Sequence, residues 1–202
     1  MSPWEGGAEA VLRAIDEFVG TGQAAAPEPQ PVAPAAVHTI LFTDIEGSTA
    51  MTQRLGDAKA REVMREHERI TRECLRAHGG SEVKTMGDGF MASFGSAVKA
   101  LECAVAVQKA FAEHSAGGEA IRVRIGLNAG EPIAEEADLF GTAVIAAARI
   151  AARASGGEIL ASDVVRQLVA GKGFLFSDRG EVVLRGFDDP VRLFEVRWQE
   201  DA

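Results

Sequence analysis

The stretch 38-HTILFTDIEGST-49, taken with 81-SEVKTMGDGFMASF-94 downstream, decides how this chain folds. The first begins as a short β run, reaches Asp44 at its end, and passes through Gly47, Ser48 and Thr49 into a strand-to-helix turn, with Ser48 or Thr49 as candidate cap. In the second, SEVKTM and FMASF flank Gly87-Asp88-Gly89, the pattern of a tight antiparallel hairpin carrying Asp88 at its tip.

Helical and extended patterns alternate outward from these two blocks. Between residues 57 and 78 the side chains of Val63, His67, Ile70, Cys74 and Ala77 form an i, i+4, i+7, i+11, i+14 stripe closed by Gly79-Gly80, which predicts a long amphipathic helix with a glycine stop. Ser96 is a candidate N-cap for a helix through Phe111. The segment 121-IRVRIGLN-128 puts Ile121, Val123, Ile125 and Leu127 on one face of a strand. The acidic run Glu131 to Asp138 reads as a loop, and Gly141 to Ala154 as a small, alanine-rich helix. The order β, α, β-hairpin, α, β predicts an α+β fold with a ferredoxin-like βαββαβ core and an antiparallel sheet. A helix after Ser162 and apolar runs at Phe174 to Phe176, Val182 to Leu184 and Val191 to Val196 elaborate its C-terminal side. No internal repeat is present.

The N-terminal region differs. In residues 1–20, Val11, Leu12, Ile15, Phe18 and Val19 fall at helical spacing and predict one amphipathic helix, docked on the domain, on a partner chain or once part of a preceding domain. Residues 21–36 hold four of the chain's seven prolines and read as a semi-rigid linker. The domain itself is expected over residues 37–202.

Composition narrows the function classes. Of 202 residues 47% are hydrophobic and 25% charged, and the formal net charge is −9. This is the composition of a soluble globular domain. No run approaches the roughly 20 apolar residues of a membrane helix, and the N-terminus lacks a secretory pattern, so a cytoplasmic location is expected. The acidic balance argues against nucleic-acid polymers as partners, since polyanions need a basic surface. Cys74 and Cys103 are too few for a disulfide framework and read as reduced thiols in or near the core.

Asp44 and Asp88 can converge at one sheet edge. Two hard carboxylates with open coordination positions suit Mg²⁺ or Mn²⁺, which leave room for substrate phosphates. Backbone amides of Glu46, Gly47, Ser48 and Thr49, at a helix start, suit phosphate oxygens.

The blocks FTDIEGST, KTMGDGF, RIGLNAGE and DLFGTAVIAAAR together resemble the signature blocks of the class III nucleotidyl cyclase catalytic domain, the fold of adenylate and guanylate cyclases. The resemblance runs from His38 to Trp198. The helix ending in Phe-Val-Gly and the proline-rich linker are similar to the segment that joins α/β-hydrolase domains to cyclase domains in some fusions.

The resemblance implies a head-to-tail homodimer with two shared active sites, converting ATP to 3′,5′-cyclic AMP and pyrophosphate with two Mg²⁺ or Mn²⁺ ions. Asp44, Asp88 and the main-chain carbonyl of Ile45 match the metal ligands. One ion acidifies the ribose 3′-hydroxyl while the other clamps the triphosphate. Lys84 and Asp138 match the residues with which the opposite chain reads the base, and a lysine donor beside a carboxylate acceptor suits N1 and the exocyclic amine of adenine. Guanine presents the reverse pattern. Arg149 matches the arginine that contacts the phosphates in the transition state. Arg185, in the turn Leu184-Arg185-Gly186-Phe187, is a candidate for the triphosphate-binding cation.

One position departs from the family. Four residues before the arginine the family has an asparagine that orients the ribose, and here that position is Ile145. Loss of one such donor costs about 100- to 1,000-fold in turnover. Thr142, nearly one turn earlier, is a candidate replacement. Two readings therefore stay open: an adenylate cyclase, or a catalytically weak or silent cyclase-like module that binds nucleotide and serves dimerisation or regulation. A diguanylate cyclase ranks low, because the Gly-Gly-Asp-Glu-Phe hairpin that such enzymes resemble is absent.

Overall fold

The computed structural model describes residues 36–117 and 119–199. The expected helix in residues 1–20 and most of the linker in residues 21–36 lie outside them. The described residues run through β1 (His38–Ile45), α1 (Ser48–Leu55), α2 (Asp57–Ala77), β2 (Ser81–Met86), β3 (Gly89–Phe94), α3 (Ala97–Gly117), β4 (Val123–Gly130), β5 (Ile133–Glu135), β6 (Asp138–Phe140), α4 (Thr142–Ala151), β7 (Ile159–Ser162), α5 (Asp163–Leu168), β8 (Leu175–Val182) and β9 (Val191–Arg197).

Seven strands form one sheet in the order β2-β3-β1-β4-β7-β9-β8, and β5 and β6 form a separate two-stranded ribbon. The first four positions of the large sheet are the antiparallel βαββαβ core, with β1 paired to β3 on one side and to β4 on the other. β7 joins β4 in parallel and leads into the antiparallel β9 and β8. Both outer strands are irregular: β2 shifts register between Glu82 and Lys84, and β8 between Asp178 and Glu181.

Each strand's alternation decides which helices it meets. Leu41, Ile45, Ile125 and Leu127 face Val63, Ile70 and Leu75 of α2 and Leu101, Val107 and Phe111 of α3. Ile40, Phe42 and Met91 face Val144, Ala147 and Ala151 of α4 on the other side of the sheet. The approach of α4 to β4 requires glycine. A Cβ at Gly126 would collide with the backbone nitrogen of Ala151, and one at Gly130 would stand 2.9 Å from the Ala143 Cβ.

Most of the expected elements are present, with local corrections. The α2 stripe begins at Val63 and His67 as predicted but drifts to Thr71 and Leu75, leaving Cys74 half-buried and Ala77 exposed. A strict 3.5-residue repeat lags behind the 3.6-residue helix by about 20° per heptad, in the direction of this drift. The glycine stop is a Schellman ending: Gly79 has φ 69° and the Gly80 amide donates to the Leu75 carbonyl at 2.8 Å. α1 starts at Ser48, so neither Ser48 nor Thr49 is its cap; that place falls to Gly47, with φ 69°. The Lys99 amide donates to Ser96 Oγ at 3.4 Å, as an N-cap requires. The expected acidic loop of Glu131 to Asp138 instead forms β5, a turn at Glu136 with φ 53° and the first residue of β6. Cys103 is buried and its thiol is pushed up to about 12, and burial also raises Cys74. Both are therefore protonated thiols.

His67 is a titratable side chain buried in a mostly apolar core. It is 1% exposed, stacked on Phe111 at 5.3 Å and tilted against Phe90 at 5.7 Å, and neither ring nitrogen has a partner. Burial holds the imidazole neutral and pushes its pKa down to about 4. The unfolded chain takes up this proton near pH 6.5. Stability from the neutral ring is therefore complete above that value and is lost as pH falls towards 4. A His67→Leu variant is expected to abolish this loss, worth about 2 kcal/mol at pH 5, as read by thermal melts at pH 5 and pH 7.5.

Candidate active site

The end of β1 and the tip of the β2–β3 hairpin meet because β1 and β3 pair in register. Thr43 lies opposite Phe90, and the Phe90 amide donates to Thr43 Oγ1 at 3.2 Å. Gly89 makes the approach possible, since any Cβ there would collide with the Thr43 carbonyl oxygen. The turn itself is two residues long, Gly87 with φ 64° and then Asp88. Asp88 is thereby delivered next to Asp44.

The carboxyl of Asp44 is raised above its ordinary range, first by burial and further by the Asp88 carboxylate beside it. Arg124 opposes the rise. It sits opposite Asp44 on β4 and donates to Asp44 Oδ2 from Nε at 2.7 Å and from Nη2. Two like charges converging in a partly buried corner favour a cation between them, and carboxylate oxygens with the Ile45 carbonyl are the donor set that hard divalent ions take. The residues present fit such ions. Among the described residues no cluster of three or more His, Cys, Asp or Glu side chains is gathered as a metal site, at this corner or elsewhere.

In the loop after β1 the Glu46 amide donates to the Arg122 carbonyl at 2.8 Å and so is not among the amides open to a phosphate. The Glu46 side chain turns to the Ser155–Gly157 segment, accepting from the Gly156 amide at 2.9 Å and pairing with Arg122 at 3.4 Å. Gly47 takes the left-handed conformation, and Ser48 and Thr49 form the first turn of α1.

A second group forms across the other side of the hairpin. Lys84, placed by the β2 irregularity, reaches Asp138 at the start of β6, Nζ to Oδ2 at 2.5 Å. Asp138 Oδ1 accepts from the Leu139 amide at 2.8 Å. The Lys84 hydrogen bond, then that amide, hold the Asp138 carboxyl below its ordinary range. The Phe140 ring lies 5.6 Å from the ammonium. These side chains, Val83 and the turn at Glu136 line an open cavity of about 540 Å³. A larger cavity, about 830 Å³ between α3 and the β8–β9 edge, contains none of the predicted site residues.

On α4, Thr142, Ile145 and Arg149 share an exposed face, with Ile145 47% exposed. Arg185 is exposed in the Leu184–Phe187 turn, and no hydrogen bond or ion pair joins it to the acids, Lys84 or Arg149. Arg124 is the site residue that sequence reasoning missed. The available signal was a cation in an alternating strand, on the face opposite Val123, Ile125 and Leu127.

With this geometry in place, comparison with known proteins is decisive for the family. The profile of the adenylate and guanylate cyclase catalytic domain matches residues 32–196, so the chain belongs to that family. An adenylate cyclase of Mycosarcoma maydis is 35% identical over 162 residues, which is 67% of this chain and 6% of that protein. The solved adenylate/guanylate cyclase/hydrolase of Silicibacter pomeroyi is 31% identical with a TM-score of 0.73, over 79% of this chain and 95% of that one. A Trypanosoma brucei adenylate cyclase, solved in its monomeric state, is 26% identical with a TM-score of 0.73, over 82% and 90% of the two chains. The chain spans between 10% and 40% of the length of the first curated relatives it matches. No described helix is long and apolar enough to cross a membrane.

The hairpin's placement is testable through Gly89. Gly89→Ala is expected to lower stability by about 2 kcal/mol through overpacking against β1. Gly95→Ala, where an added Cβ meets nothing within 4 Å, serves as the control in the same thermal melts.

Proposed function

We propose that this domain is an adenylate cyclase converting ATP to 3′,5′-cyclic AMP and pyrophosphate at sites shared between two copies of the chain, working in the cytoplasm. The observation that carries this reading is the Lys84–Asp138 pair, a donor and an acceptor 54 residues apart in sequence and held 2.5 Å apart in a cavity. Adenine offers an acceptor at N1 and donors on its amine, and this pair complements both. Guanine would set its own N1–H against the lysine.

Asp44 and Asp88, with the Ile45 carbonyl, are the residues that hold two divalent ions. Such ions supply charge neutralisation on the triphosphate and acidity at the ribose 3′-hydroxyl. The 3′-oxygen forms a bond to the α-phosphorus as the bond to the pyrophosphate oxygen breaks. Arg149, exposed on α4 with no ion-pair partner among the described residues, is the candidate donor to the α-phosphoryl oxygens, where charge develops. Arg124 holds Asp44 and remains a guanidinium within reach of phosphate oxygens. The amides of Gly47, Ser48 and Thr49 receive further phosphate oxygens, and Arg185 is the candidate cation for the terminal phosphates. A second copy has apolar surface to cover: Met86, Phe140, Ile145 and Ile133 are 43%, 43%, 47% and 59% exposed around the two groups.

A second reading rests on Ile145, which has no donor on the face it shares with Arg149. It is a nucleotide-binding module of weak or no turnover. The two are separated by incubating the protein with ATP and with GTP, in Mn²⁺ and in Mg²⁺, and measuring cyclic nucleotide by mass spectrometry. Cyclic AMP that disappears in Asp44→Ala is expected. Preference for GTP would overturn the substrate assignment, and product from Ile145→Asn alone would favour the silent module. Mixing inactive Asp44→Ala and Lys84→Ala chains is expected to restore up to about a quarter of the activity, the share of intact sites in freely exchanging dimers.

A further inference from the structure

We infer that Asn128 is the positioning residue that fixes α4 along β4 and so sets where Arg149 stands; the inference rests on the reading of Arg149 given above. The face of β4 that meets α4 carries Arg124, Gly126, Asn128 and Gly130, and its opposite face carries the core residues Val123, Ile125 and Leu127. Against it α4 presents Ala143, Ala147 and Ala151, an i, i+4, i+8 row of the smallest helical side chains. Glycine against alanine brings the two backbones together but interlocks nothing. Helix packing normally sets its axial register by ridges lying in grooves, and along β4 both are shallow, the larger Val144 and Ile150 packing instead against neighbouring strands. One directional contact breaks this smoothness. Asn128 Nδ2 donates to the Ala143 carbonyl at 3.1 Å, taking the lone pair that the helix's own bond from the Ala147 amide leaves free.

A slip of α4 by one residue along its axis is about 1.5 Å, more than a hydrogen bond tolerates. Asn128 therefore admits one axial position. Arg149 lies six residues beyond Ala143 on a rigid helix, and its guanidinium inherits that axial position. Asn128 touches no reacting atom in this account; it acts through Arg149.

The test separates position from stability. Asn128→Asp keeps the shape and removes the donor, and Asn128→His returns a ring N–H near the same place. Each is made in the wild-type background and beside Arg149→Lys. Asn128→Asp is expected to lower kcat for ATP by about 10- to 100-fold while KM stays within about threefold, the signature of a misplaced group rather than of lost binding. Asn128→His is expected to recover most of the loss. Beside Arg149→Lys the Asn128→Asp change is expected to cost less than about threefold, because the group it positions is already altered. Equal losses in both backgrounds, or a loss that follows the melting temperature alone, would overturn the inference. Should the wild-type protein form no cyclic nucleotide, the cyclase reading fails by itself. Hydrogen exchange over Thr142–Ala151 then decides the latch: faster exchange in Asn128→Asp with recovery in Asn128→His supports it, and unchanged exchange overturns it.

Discussion

Two backbones lie closer together at β4 and α4 than side chains ordinarily permit, and the site is organised around that approach. β4 divides its residues strictly. Val123, Ile125 and Leu127 are each 0% exposed and close the core under α2 and α3, while Gly126 and Gly130 leave room on the other face for a helix. The same face supplies Arg124 to the acid corner and Asn128 to α4. A strand with large residues on both faces would hold its neighbours apart.

A similar economy governs the hairpin. Gly89 permits the tip to reach β1, and the irregularity of β2 turns Lys84 towards the β5–β6 ribbon. One hairpin thus contributes an acid to one group and a base to the other. The acids at Asp44 and Asp88 are held together against their own repulsion, which the Arg124 guanidinium offsets. The numerous ion pairs on the surface have no comparable role. Arg69 bonds both Glu66 and Glu73 along the exposed side of α2, and such pairs contribute little individually.

The fold was legible where a pattern has a fixed period. Alternation identified β4, the i, i+4 stripe identified α2, and a glycine turn between two short apolar runs identified the β2–β3 hairpin. Element ends were less legible, because caps depend on which residue reaches the left-handed conformation; Gly47 does so while Ser48 becomes the first helical residue. The β5–β6 ribbon escaped notice because each strand has three residues and their composition is acidic. At the site, convergence of Asp44 and Asp88 followed from strand order alone. The pairing of Lys84 with Asp138 spans 54 residues and no local period encodes it, so only the resemblance to a family indicated it. Arg124 was passed over because a charged residue in an alternating strand looks like ordinary solvent-facing chemistry until its cross-strand neighbour is known.

The irregular outer strands have a further consequence. β2 and β8 are the two edges of the large sheet, and each loses its pairing register partway along its length. An edge so interrupted offers no continuous row of backbone donors and acceptors to a newly arriving strand. Growth of the sheet by edge-to-edge addition is discouraged at both ends, and with it the route from native protein to fibrillar aggregate. Encounters between copies are directed to the exposed side chains of its faces and ribbons, where geometry can be selective.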